Sequence, residues 1–215
     1  SIRDGRMTVR GAAFDVASIQ GSGSLSPEGA VEGLVQITVS DFGSLLGYLD
    51  AGSRVPLTGN ATIELRLGGR INPIEALVVE GTIPALNLAV SEQPLTAPQP
   101  IRFGFRDGRV VFDAFDLAGI DSSLHVEGSV SATGERPIDL RVRGTLEAAL
   151  LQLFVPDVRA EGHVNVDAGI TGTLAAPRIN GAAEIVDAEI RFAGFPQPID
   201  NIRGTILFIG NEIKI

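Results

Sequence analysis

The chain has 215 residues, with 26 Asp plus Glu against 17 Lys plus Arg, a formal net charge of −9, and no cysteine. That balance argues against a nucleic-acid partner, whose affinity rests on clustered Lys and Arg neutralising phosphates, and it disfavours docking along an anionic membrane surface. Without Cys there is neither a disulfide framework nor a thiolate metal site.

Trp is absent, Tyr and Met occur once each, and Gly occurs 26 times. Val, Ile, Leu and Gly therefore carry the sequence, a profile of strands broken by frequent turns. Asp4-Gly5 is the first turn, a pair that tolerates the positive φ of a tight hairpin. Gly21-Ser22-Gly23 reads as another. Phe42, Leu45, Leu46 and Leu49 fall at i, i+3, i+4 and i+7 behind a cap at Ser40 or Asp41, which predicts a short amphipathic helix. The run Ala61 to Leu67 alternates apolar and polar residues, the period that puts one face of a strand in oil and the other in water. Gly68-Gly69 then reads as a turn. Alternation returns at Leu86 to Val90, at Ile138 to Arg143, at His163 to Asp167 and at Thr205 to Phe208, with further turns at Asp107-Gly108 and Gly210-Asn211. A second helix is predicted from Leu146, Ala149, Leu150, Leu153 and Phe154 behind Thr145, ended by Pro156. Each helix is barely two turns and needs the sheet to support its apolar stripe. The expected sheet is antiparallel and meandering, with strands of about five to eight residues.

The landmarks occur twice in one order. Gly5 returns as Gly108, Gly23 as Gly128, Gly59 as Gly162, Pro73 as Pro177 and Phe105 as Phe208, at spacings near 103 residues. This predicts two repeats, 1–104 and 105–208, each with one short helix, and the start of a third at 209–215. Ser1 stands just before a turn and Ile215 within a strand, so the chain is expected to be a piece of something longer. No apolar run approaches the ~18 to 20 residues of a membrane-spanning helix.

Candidate chemistry is sparse. His125 and His163, the two histidines, sit in alternating strand runs outside any metal or catalytic spacing, and read as strand histidines. Glu64, Glu127, Asp139, Glu184 and Glu189 are scattered singly at polar strand positions. The glycine pairs are not followed by Lys-Ser or Lys-Thr opening a helix, so no phosphate loop is present. Asp4, Asp107 and Asp121 do not form a calcium loop. The expectation is a non-enzyme with no cofactor and no metal.

What remains is the apolar face. Its predicted members are Ile63, Leu65, Leu67, Ile83, Leu86, Leu88, Phe103, Phe105, Leu140, Val142, Val164, Val166, Ile170, Ile185, Ile190, Phe192, Ile206 and Phe208. Phe42, Leu45, Leu46, Leu49, Leu146, Leu150, Leu153 and Phe154 would lie over it from the two helices. Such a face is buried by a second sheet, by closure into a barrel, or by a ligand filling an open, curved gutter.

The run Gly172-Thr173-Leu174-Ala175-Ala176-Pro177-Arg178-Ile179-Asn180-Gly181, followed by alternation from Ile185 to Phe192, resembles the recurrent segment of the TamB family of translocation and assembly modules. Ile199-Asp200-Asn201-Ile202-Arg203-Gly204-Thr205-Ile206-Leu207-Phe208, with Gly210 and Ile213, is similar to the family's repeat ending. The first copy departs from the pattern, with eight positions between Pro73 and Gly81 where four separate Pro177 from Gly181. The resemblance implies an elongated, strongly curved antiparallel sheet, folded like a taco around an apolar groove. It implies a periplasmic segment of a protein anchored in the inner membrane of a diderm bacterium, with an outer-membrane β-barrel partner. The implied function is movement of phospholipid between the membranes, with acyl chains in the groove. The alternatives are a chaperone that captures outer-membrane strands at an open sheet edge, and a structural spacer. Sheet edges also make edge-to-edge self-association an expectation.

Overall fold

The computed structural model describes residues 2–3, 6–14, 16–44, 57–72, 76–90, 93–106, 108–131, 138–149, 158–173, 176–192, 197–210 and 212–214. Fifteen strands follow one another: β1 (Ile2–Arg3), β2 (Arg6–Phe14), β3 (Ala17–Leu25), β4 (Ala30–Val39), β5 (Leu57–Arg70), β6 (Leu77–Val90), β7 (Gln93–Thr96), β8 (Ile101–Arg106), β9 (Arg109–Gly119), β10 (Ser122–Ser131), β11 (Ile138–Glu147), β12 (Val158–Gly172), β13 (Pro177–Phe192), β14 (Ile199–Gly210) and β15 (Glu212–Lys214). All belong to one sheet in chain order. Short connections between neighbours make every pairing antiparallel. The protein is all-β.

β7 and β8 share a single lane, since both pair with β6 on one side and β9 on the other. Pro98 and Pro100 stand between them, and neither has an N–H for the ladder, so the lane is interrupted there. The expected boundary between residues 104 and 105 falls inside β8, and that between 208 and 209 inside β14. The sheet runs on through both.

The strands are longer than the pattern of alternation predicts. β5 and β6 have 14 residues each, β12 has 15 and β13 has 16. The cause is the β-bulge, which adds one residue to one strand and reverses the phase of everything after it. In β6 the pairing jumps from Thr62↔Ala85 to Glu64↔Thr82, so Ile63 faces both Ile83 and Pro84. Inward residues are odd-numbered up to Ile83 and even-numbered from Leu86. β13 does the same around Asp187, which adopts φ 49°, so Ile185 and Ala188 face one way. A bulged strand reads in sequence as two short ones.

Two expected turns are strand instead. Gly21-Ser22-Gly23 lies within β3 and Gly68-Gly69 within β5, paired to Val35, Leu34 and Gly33 and to Val78 and Leu77 respectively. The glycines admit close backbone approach: a Cβ on Gly23 would stand 2.8 Å from the Glu32 carbonyl oxygen. The hairpin expected at Gly108 is present, with Arg106 paired to Arg109 and Gly108 at φ 74°. Gly210 likewise takes φ 65° between the paired Ile209 and Glu212. Asp4-Gly5, Asp107 and Asn211 lie outside the described residues.

The first helix begins as expected. Residues 42–44 are helical, and Asp41 is the cap: its carboxylate accepts from the Gly43 and Ser44 backbone N–H groups at 3.1 Å and from Ser44 Oγ at 2.6 Å. These bonds, the Ser44 hydroxyl first, hold the Asp41 carboxyl below its ordinary pKa. A depressed folded-state pKa means the cap stabilises above the unfolded carboxylate pKa and is lost as pH falls through the folded value. Asp41→Ala is therefore expected to lower the urea midpoint at neutral pH, and the gap from wild type to close at acid pH. A gap that persists in acid would show that the ionised cap is not its source. Leu45, Leu46 and Leu49 lie outside the described residues.

The start of the second helix is corrected. Thr145, Leu146 and Glu147 continue β11, paired to Asn165, Val164 and His163. Among the described residues that follow, 148–149 wind into a short 3₁₀ turn. Thr145 is not a cap, because its Oγ1 donates across the sheet to Asn165 Oδ1 at 3.1 Å, and a β-branched residue with a cross-strand partner favours the strand. Leu150, Leu153 and Phe154 lie outside the described residues. Where β10 turns away from β11, Ser122 Oγ accepts from the Glu147 backbone N–H at 3.1 Å and satisfies it.

Among the described residues the principal packing joins strands that are neighbours in the sheet, and β1 is not paired with β15. Among the described residues the sheet is thus neither closed into a barrel nor covered by a second sheet. A flat single layer would leave its apolar side chains half exposed, yet Ala61 and Ile101 are each only 2 % exposed. Curvature toward the apolar face, with the bulges adding twist, brings those side chains together.

Candidate functional site

The predicted apolar residues share the inner face of the curve. Ile63, Leu65 and Leu67 lie on β5; Ile83, Leu86 and Leu88 on β6; Phe103 and Phe105 on β8; Leu140 and Val142 on β11; Val164, Val166 and Ile170 on β12; Ile185 and Ile190 on β13; Ile206 and Phe208 on β14. All are buried or half-buried. Phe192 ends β13, and its side chain is outside the described residues. Leu146 faces inward as a strand residue, and Phe42 packs on the same face from the helical turn.

The face is not uniform. Its middle is filled: Ala61, Leu86, Leu95, Ile101, Leu117, Leu124 and Val126 form a buried cluster from β5 to β10. Phe112 stands 5.6 Å from Phe103 and 6.1 Å from Phe115, ring centre to ring centre, in tilted pairs of the favoured kind. A second cluster joins Ala148, Ala160, Val164, Ala183, Ile185, Ala188 and Ile206 from β11 to β14.

Beside that second cluster is a hollow of about 190 Å³, lined by Val142, Leu146, Val164, Val166, Ala168, Ile170, Ile179, Ala183 and Phe208, together with Glu147. Ala168 and Ala183 make it deep, since Val166 and Ile170 flanking the first and Ile185 beside the second are larger. Alternation turns the Glu147 side chain to the outer face, leaving the hollow walled by hydrocarbon. Another hollow, of about 250 Å³, lies on β3, β4 and β5, where Ile19, Leu25, Val31, Val35, Leu67 and Ile71 surround Gly21, Gly23 and Gly33. Of these only Leu67 is among the predicted lining. Val31 and Val35 were legible in the alternation Val31, Gly33, Val35, Ile37, Val39, in which every second residue from Ala30 is polar, small or Leu34.

The outer face is charged. Arg141 donates to Asp167 through Nε and Nη2 at 3.2 and 3.1 Å, a two-point contact. Arg143 reaches Glu127 at 3.5 Å and Asp167 at 3.7 Å, and His125 Nδ1 lies 2.8 Å from Asp116 Oδ1. The Arg141 hydrogen bond holds the Asp167 carboxyl below its ordinary pKa and raises that of the guanidinium. These groups are solvent-exposed, where pairing adds little stability; their role is to keep one face wet. His163 is exposed on the same side. The described residues bring together no three His, Asp or Glu side chains able to hold a metal.

Fold and face together define a class: an open, curved, single-layer antiparallel sheet with one charged face and one apolar face. Comparison with protein-family models, with curated proteins and with solved structures finds no match to this chain.

Proposed function

We propose that the inner face binds hydrocarbon chains, and that the protein is a non-catalytic conduit moving phospholipid across the periplasm between inner and outer membranes. Acyl chains lie against the inner face and head groups remain in water. One observation carries this reading: an aliphatic hollow of about 190 Å³ on a face that no second layer covers among the described residues. Apolar cavities of ~150 Å³ stay dry and accept ligands the size of benzene, so this one has room for several methylene groups. Each CH₂ kept from water is worth about 0.8 kcal/mol, enough in sum to hold a chain without any polar contact. The TamB resemblance supplies the membranes and the compartment.

The test is mass spectrometry of an organic extract of the folded protein purified without detergent, beside Val142→Asp/Val166→Asp. One or more phospholipids per chain are expected in the wild type, with one fewer in a variant that keeps its strand spectrum. A lipid-free, monodisperse wild type that also fails to take up added phospholipid would remove the proposal.

Strand capture is the second reading: an open sheet edge can accept a strand of an outer-membrane β-barrel protein through backbone hydrogen bonds. Aspartates in the apolar hollow would leave that activity intact, which separates the two readings.

A further inference from the structure

The hydrocarbon-binding reading of the inner face is the premise here. On it, we infer that the face holds two separate chain-binding hollows, the second on β3–β5, with the packed middle of the sheet as a closed bulkhead between them.

The second hollow is built to be deep. A Cβ on Gly21 would stand 2.9 Å from the Leu34 carbonyl oxygen and one on Gly33 would stand 3.1 Å from that of Ser22. No side chain rises from those positions, so the floor is backbone and the walls are Ile19, Val31, Val35 and Leu67. At the rim Leu25 is 43 % exposed and Ile71 45 % exposed, large apolar groups held in water beside an empty space.

Its occupant follows from what the hollow lacks. β3 is paired along its length with β2 and β4, and β4 with β3 and β5, so the floor has no free N–H or C=O to offer. A peptide lying there would leave its own amides unpaired against aliphatic walls, which is unfavourable. Glu32, Ser22 and Ser24 also border the hollow, but at the alternate positions of the same strands, where their side chains turn outward. A ligand that asks for no hydrogen bond satisfies the site, and an alkyl chain is such a ligand.

The bulkhead separates this hollow from the one on β11–β14. Ile101, Leu95, Leu117 and Leu124 are buried between them, and the half-buried Phe103, Phe112 and Phe115 rings pack beside them. A chain passing along the face would have to displace that packing. At rest each hollow takes a chain independently, and movement of lipid along the face requires that packing to part.

The experiment uses the intact chain and a photoreactive sixteen-carbon fatty acid, with native mass spectrometry for stoichiometry and peptide mapping for the crosslinks. Two probes per chain are expected. Crosslinks should fall within residues 19–35 and within 142–208, and be at least tenfold fewer at 95–126. Val35→Phe fills one hollow and should leave one probe, crosslinked only in 142–208; Val166→Phe should leave one in 19–35. A single probe per chain, or crosslinks continuous through 95–126, overturns the two-site inference while leaving hydrocarbon binding intact. No probe bound to the folded wild type sinks the underlying reading itself. The crosslink map on the unmutated chain decides the matter even if a filled variant does not fold.

Discussion

Ile101→Ala lowers the unfolding free energy by about 2–4 kcal/mol, whereas Val35→Ala on the same face costs about 1 kcal/mol. Ile101 is 2 % exposed and the largest fully buried side chain among the described residues. It opens β8, where the ladder resumes after Pro98 and Pro100, and pairs with Ile83 at the β6 bulge. Removing it leaves a cavity inside the cluster, because Leu95, Leu117 and Leu124 are held by strands on fixed register and cannot collapse inward. Val35 borders a hollow already, so its truncation enlarges a space that the fold tolerates. Urea denaturation of the two variants measures the difference. Equal costs would mean that the middle of the sheet is no better packed than its wings, and the division of the inner face would fall with that result.

Much of the inner face could be read from the chain because period two is a direct signature of a one-sided strand. Leu65, Val142 and Val164 needed only alternation. The bulges could not be read so easily. Ile83, Pro84, Ala85 and Leu86 break the period, and a break looks the same in sequence whether the strand ends or adds a residue. Long strands such as β13 were thus seen as fragments. At Thr145 and Leu146, spacing compatible with a helix yielded to cross-strand partners at Asn165 and Val164, since pairing to a formed β12 satisfies backbone groups that an isolated two-turn helix leaves open. The inner face of β3 escaped notice for another reason: Gly21 and Gly23 alternate with Ser22 and Ser24, so the hollow is marked by missing side chains. The run Pro98-Gln99-Pro100-Ile101 also recurs as Pro196-Gln197-Pro198-Ile199, a signal for the paired starts of β8 and β14 that lies in plain sequence.

Gly69→Ala and Gly172→Ala should each destabilise the protein by about 2 kcal/mol or more, and by similar amounts. Gly69 is next to last in β5 and Gly172 is last in β12, 103 positions apart, with φ of 97° and 96°. An L side chain at such a φ is strained by about 1–3 kcal/mol. Space is also lacking, since a Cβ would stand 2.2 Å from the Ala76 carbonyl oxygen at the first site and 2.6 Å from the Ala176 carbonyl oxygen at the second. Backbone would have to move at each. Gly204→Ala is the control: nothing lies within 4 Å of its Cβ position, it is not among the positive-φ glycines, and a change within about 0.5 kcal/mol is expected. Matching losses at the two sites, against a silent control, would mean that the same backbone device closes the same strand twice, which is the physical content of a repeat. A large loss at Gly172 with none at Gly69 would confine the device to the second half and count against two equivalent units.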